Sequence, residues 1–96
     1  MKASFHPEST AELEGAMNWY LARDDEVSKR FAYAVDDAMN RILDNPDRFP
    51  LVCGNFRGCR ITKFPYQIIY RFGKDFLRIQ AVAHLSRRLG YWKKRR

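Results

Sequence analysis

The sequence predicts an α+β fold: a helical hairpin packed on one face of a small antiparallel sheet, in the order β-α-α-β-β-β. Three observations carry this. Apolar residues from Leu13 to Ile42 recur at helical spacing, the period changes to two after Pro50, and Gly73-Lys74-Asp75 separates two strand-like runs. The chain has 96 residues, 46% of them hydrophobic, which suits one packed core and one domain over residues 1–96.

Lys2 to Phe5 is short enough for an edge strand. A helix opens next, either at His6-Pro7-Glu8 or at Ser9 with Glu12 in capping-box spacing. Proline suits a first turn, because the N–H it lacks would be unpaired there, and His6 reads as a cap. Leu13, Ala16, Met17 and Tyr20 form one apolar stripe, with Trp19 and Tyr20 read as core. Asp24-Asp25-Glu26 ends this helix and starts a second, since acids suit the positive end of a helix dipole. Val27, Phe31, Ala34, Val35, Ala38 and Ile42 carry the second helix to about Asp44, and Asn45-Pro46 stops it.

Strands are then expected at Cys59 to Phe64, Tyr66 to Phe72 and Phe76 to His84. Tyr66, Ile68, Tyr70 and Phe72 share the core face of their strand, as do Leu77, Ile79, Ala81 and Ala83 of the next. On this register Arg60, Arg71, Arg78 and His84 gather on one open face. The tail adds Arg87-Arg88, Tyr91-Trp92 and Lys93 to Arg96, where basic groups interleaved with aromatics can neutralise phosphates and stack bases.

Charge is distributed unevenly. Residues 1–50 hold six basic and ten acidic groups, a net of −4, while residues 51–96 hold twelve basic groups and Asp75, a net of +11. The helical half reads as scaffold and the basic half as a working surface for an anionic partner. No run of 18 apolar residues and no signal-peptide pattern is present, which points to the cytoplasm and to no membrane partner. Cys53 and Cys59 read as free thiols there, with Cys59 a small strand residue. The two Cys and two His match no zinc spacing, and no P-loop, dinucleotide motif or repeat appears, so neither metal nor cofactor is expected.

Four tracts together resemble the RelE/ParE superfamily of toxins from bacterial type II toxin–antitoxin modules, often labelled plasmid-stabilisation proteins. They are Phe5-His6-Pro7-Glu8, Asn45-Pro46-Asp47-Arg48-Phe49-Pro50, Phe64-Pro65-Tyr66-Gln67-Ile68-Ile69-Tyr70-Arg71 and Ala81-Val82-Ala83-His84-Leu85-Ser86-Arg87-Arg88. The resemblance covers nearly the whole chain and implies a helical hairpin on a curved antiparallel sheet. It implies a cognate antitoxin as partner, and one of two activities: RelE-like cleavage of mRNA on the ribosome, or ParE-like inhibition of DNA gyrase without catalytic residues. Arg60, Arg87 and Tyr91 match the superfamily's basic strand position, late arginine and late tyrosine, and a RelE lysine position falls on His84. The nuclease arginine after a strand tyrosine falls on Gln67, a departure for which Arg71, four residues on, is the candidate substitute if it points the same way. The His84-x-x-Arg87 pairing looks more like ParE-like sequences.

If RNA is cut, a base must take the 2′-hydroxyl proton, cations must hold the phosphorane charge, and an acid must protonate the leaving oxygen. His84 is the candidate base or acid, since imidazoles exchange protons near neutral pH. Arg71 and Arg87, with Arg60, are candidate phosphate clamps, and Tyr91 a stacking group or proton donor. Arg60, Arg78, Arg88 and Lys93 are candidate phosphate- or partner-binding residues. Each has a structural reading too. His84 can simply end a strand, and Arg60, Arg71 and Arg78 can form a solvated face that meets antitoxin acids. Tyr91 and Trp92 can pack over the sheet edge, and Lys93 to Arg96 can fray. The charge distribution tips the reading slightly toward metal-independent RNA cleavage; His84-x-x-Arg87 and Gln67 support gyrase inhibition as the alternative, and an inactive remnant toxin is a third reading.

Overall fold

The computed structural model describes residues 2–96. The chain forms β1 (Lys2–Phe5), α1 (Pro7–Leu21), α2 (Asp25–Asp44), β2 (Leu51–Cys53), β3 (Phe56–Arg60), β4 (Tyr66–Phe72) and β5 (Phe76–His84). The five strands make one sheet in the order β1-β5-β4-β3-β2. The predicted helical hairpin on a sheet is present. The sheet is mixed rather than wholly antiparallel: β1 lies on the edge as expected but runs parallel to β5, with Phe5 opposite Ile79. The two helices form the long crossover that parallel neighbours require.

The helix starts follow local chemistry. His6 Nδ1 accepts the Glu8 N–H at 3.0 Å, and Ser9 Oγ donates to the His6 carbonyl at 2.6 Å, so α1 begins at Pro7. Asp24 Oδ1 accepts the Glu26 N–H at 2.9 Å and caps α2. The near face of the sheet packs on the helices through Phe31, Ala38, Ile42, Ile68, Tyr70, Leu77 and Ile79. Tyr20 joins this core, its ring 5.1 Å from that of Phe31. Trp19 does not: it is 53% exposed and stacks under the Arg23 guanidinium at 3.5 Å.

β4 and β5 have the predicted boundaries. The strand expected at Cys59 to Phe64 instead occupies Phe56–Arg60, and the short β2 pairs with it across Gly54-Asn55. Thr62 to Phe64 lie in the following turn, where Lys63 takes a φ of 70° and the Phe64 N–H bonds the Ile61 carbonyl. Gly58 sits inside β3 because the approach is close: a Cβ there would meet Gln67 Oε1 at 2.6 Å and Val52 Cγ1 at 3.0 Å.

One bulge reorders the faces. Ile69 pairs with Ala81, but Tyr70 pairs with Ile79, leaving Gln80 as the extra residue of β5. Leu77 and Ile79 face the helices as expected. Ala81 and Ala83 do not: they join Ile69 on the far face. Past the bulge Val82 and His84 turn to the near face, where His84 lies opposite Tyr66. The expected gathering of His84 with Arg60, Arg71 and Arg78 on one face is therefore overturned by the inserted Gln80.

The centre of the far face is also not open. Trp92, 1% exposed, covers Ile69, Ala81 and Ala83, its ring 4.9 Å from that of Phe56. Gln80 Nε2 donates to the Trp92 carbonyl at 2.9 Å and to the Arg95 carbonyl at 3.1 Å. The end of the chain is thus pinned through Arg95 and does not fray as expected.

Tyr70 ties the core to the loop after α2. It is fully buried, burial pushes its phenol up to about 12, and its hydroxyl donates to the Pro46 carbonyl. Tyr70→Phe leaves that carbonyl unpaired and is expected to lower stability by about 1–2 kcal/mol. A thermal melt should show a loss of several degrees.

Candidate functional site

The free end of β5, α1 and the turns after His84 meet in a cleft of about 180 Å³ lined by Glu12, Tyr66, Val82, His84, Arg87 and Tyr91. β1 pairs with β5 only as far as Ile79. Beyond that point α1 approaches the strand edge, and Glu12 Oε1 accepts the Val82 N–H at 3.1 Å. This is why a carboxylate reaches the sheet here: it satisfies a strand donor that has no neighbouring strand.

Glu12 anchors more than the strand. Arg95 Nη1 donates to Oε1 at 2.8 Å and Nη2 to Oε2 at 2.9 Å, a two-pronged pair. Arg95 Nη1 also reaches the Gln80 carbonyl at 3.1 Å, and Nε lies 3.8 Å from Glu8 Oε2. The Tyr91 hydroxyl donates to Glu12 Oε2. Burial alone would push the Glu12 carboxyl up, but the bonds from Arg95, Tyr91 and Val82 outweigh it and hold the carboxyl below its ordinary range. Burial first, then the bond to Glu12, pushes the Tyr91 phenol up to about 12. The Arg95 guanidinium is driven the same way, chiefly by its bonds to Glu12 and against the opposing effect of its burial.

His84 is half-buried at the mouth of the cleft, its ring edge-on to Tyr66 at 5.0 Å. Its Nδ1 accepts the Ser86 N–H at 3.0 Å, with Ser86 Oγ at 2.7 Å. A backbone N–H can only donate, so Nδ1 is the acceptor of that bond. Arg87 is exposed and its guanidinium lies 4.0 Å over the Tyr91 ring. A second cleft of about 330 Å³ adjoins the first through Tyr66 and His84 and is walled by Trp19, Tyr20 and Pro65.

Of the sequence candidates, His84, Arg87 and Tyr91 are brought together. Arg71 is not among them. It lies on the far face opposite Arg78, five positions along β4 from Tyr66, roughly 17 Å at strand rise. Arg60 is on that far face beside Gln67, and its carbonyl accepts from Arg41 Nη2 at 3.4 Å. Arg88 and Lys93 are exposed in the C-terminal turns. Glu12 and Arg95 are the residues the sequence reading missed. Glu12 stands four positions before the buried Ala16 and eight before Tyr20, one helical face, which marks a carboxylate aimed inward. Arg95 carried no comparable mark.

The cleft offers a partly aromatic surface with Arg87 at its exposed rim and the Glu12 carboxylate tied up inside. No helix among the described residues is long and apolar enough to cross a membrane. The solved structure described as "Chromosomal ParDE TA system from P. aeruginosa" shares the fold, with a TM-score of 0.74 at 11% identity over 88% of this chain and 95% of that one. A search of curated proteins returns no match. The profile described as "ParE toxin of type II toxin-antitoxin system, parDE" matches residues 3–89, most of the sheet and both helices, and the chain belongs to that family.

Proposed function

We propose that this toxin stops growth by binding DNA gyrase, not by cutting RNA, and that a cognate antitoxin silences it. The observation that carries this reading is the Glu12–Tyr91–Arg95 lock. A nuclease acid must release its proton to the leaving oxygen, yet the Tyr91 hydroxyl already donates to Glu12 and its phenol is pushed up to about 12. Arg71, the candidate substitute for the missing nuclease arginine, lies on the opposite face. What remains around His84, Arg87 and Trp19 is a shaped surface suited to docking. The family match supports the same choice.

The test pairs a supercoiling assay with purified gyrase and a map of mRNA 5′ ends after brief induction. The expected result is loss of supercoiling with no ends at ribosomal A-site positions. Tyr91→Phe should leave growth arrest within about twofold, because a non-catalytic toxin loses no chemistry with that hydroxyl. A-site ends with supercoiling untouched, abolished by His84→Ala or Tyr91→Phe in a folded protein, would establish the nuclease instead.

A further inference from the structure

The basic residues of the far face remain unused by the cleft. Arg71 and Arg78 lie directly opposite one another on β4 and β5. Like charges at that position are destabilising. Their contacts offset little: Arg71 lies 5.4 Å from the Phe76 ring, and Arg78 Nη1 is 3.4 Å from Ser4 Oγ. Among the described residues, ion pairs are made only by Lys29, Arg41 and Arg95. No basic residue from Arg57 to Lys94 has a carboxylate partner. Arg60 continues the same face beside Gln67, four strand positions from Arg71, roughly 13 Å at strand rise. Trp92 holds the segment bearing Lys93 and Lys94 against this face.

We infer that the far face, through Arg71, Arg78 and Arg60, is a docking surface for the phosphate backbone of duplex DNA. A charge array spread over roughly 13 Å matches a repeating anion better than a single one, since each strand of a duplex carries a phosphate about every 3.4 Å of helix axis. The aromatics decide between duplex and single strand. Single-stranded nucleic acid is gripped by stacking on free aromatic rings, but Trp92 and Phe56 are packed on each other, the Tyr91 ring lies under Arg87, and the Phe76 ring at the edge lies beside Arg71. An acidic peptide would need an apolar pocket to anchor in; the centre of this face is filled by Trp92, and Phe76 at its edge lies against Arg71. The binding requires no gyrase, so it stands or falls apart from the toxin's target.

The experiment is fluorescence anisotropy of a short fluorescein-labelled duplex of arbitrary sequence, titrated with the full-length chain across about 50 to 200 mM salt. Affinity should fall steeply with salt. The Arg71→Ala/Arg78→Ala double variant should bind about tenfold more weakly at low salt, with a log–log slope shallower by about two. Its melting temperature should match or exceed the parent's, because a like-charge pair is removed. Arg71→Lys should keep the slope, and Lys29→Ala on α2 should change nothing. Salt-independent or absent binding, an unchanged slope in the double variant, or tighter binding of single-stranded RNA or an acidic peptide through Arg71 and Arg78 would overturn the inference.

Discussion

Trp92→Ala is expected to lower stability by about 3–5 kcal/mol, the range for emptying a buried aromatic site. Trp92 is 1% exposed and is the largest side chain over Ile69, Ala81 and Ala83. Its removal opens the far face to water and loosens the turns that present Arg87 and Tyr91. In a chain of 96 residues the melting temperature should fall by at least about 12 °C, at about 4–8 °C per kcal/mol. Lys94→Ala, at an exposed position in the same turns, should stay within about 0.5 kcal/mol. Circular dichroism melts of the two variants measure the difference. A Trp92→Ala melt close to the parent's would mean that the C-terminal segment contributes little to the core.

Glu12→Ala should be nearly as damaging. It leaves Arg95, whose side chain is only 10% exposed, with Glu8 at 3.8 Å as its one remaining carboxylate, and strips partners from Tyr91 and the Val82 N–H. Breaking a buried pair by removing one member costs about 3–5 kcal/mol. The same residue sets an acid limit. Its carboxyl is held below the ordinary range in the folded protein, so the unfolded chain takes up a proton first as pH falls. The stabilisation is fully present above the unfolded value of about 4.3 and is lost as pH drops through the lower folded value. Melting temperature should therefore decline below about pH 4.5 in the parent, with a shallower decline in Glu12→Gln, which cannot titrate there. Equal slopes in the two proteins would remove Glu12 from the acid response.

Strong local signals were legible in the sequence. β4 and β5 are dense in aromatic and β-branched residues, and their limits at Tyr66, Phe72, Phe76 and His84 follow from composition and the Gly73 turn. Both helix starts follow from caps, His6 with Pro7 and Asp24 with Glu26. β2 and β3 were hidden because β2 has three residues and β3 carries a glycine in its middle, where only the neighbouring Gln67 and Val52 explain it. The RelE/ParE resemblance pointed to the family that the profile match establishes over residues 3–89.

The sequence by itself determined the α+β class, the helical hairpin, the two long strands and the concentration of basic residues after Pro50. Each of these rests on neighbours a few positions apart, through helical period, alternation or capping. Only the tertiary structure decided which surface those residues make. One inserted residue, Gln80, sends His84 to one side and leaves Arg71 and Arg78 on the other. Trp92 closes a face that alternation alone leaves open. Glu12 and Arg95 meet across 83 positions, a separation at which no local pattern carries the information. A bulge shifts register by a single residue at little change in composition, and a long-range ion pair depends on where the chain returns. These two events, more than charge or family likeness, separate the cleft around His84 from the basic face around Arg71 and Arg78.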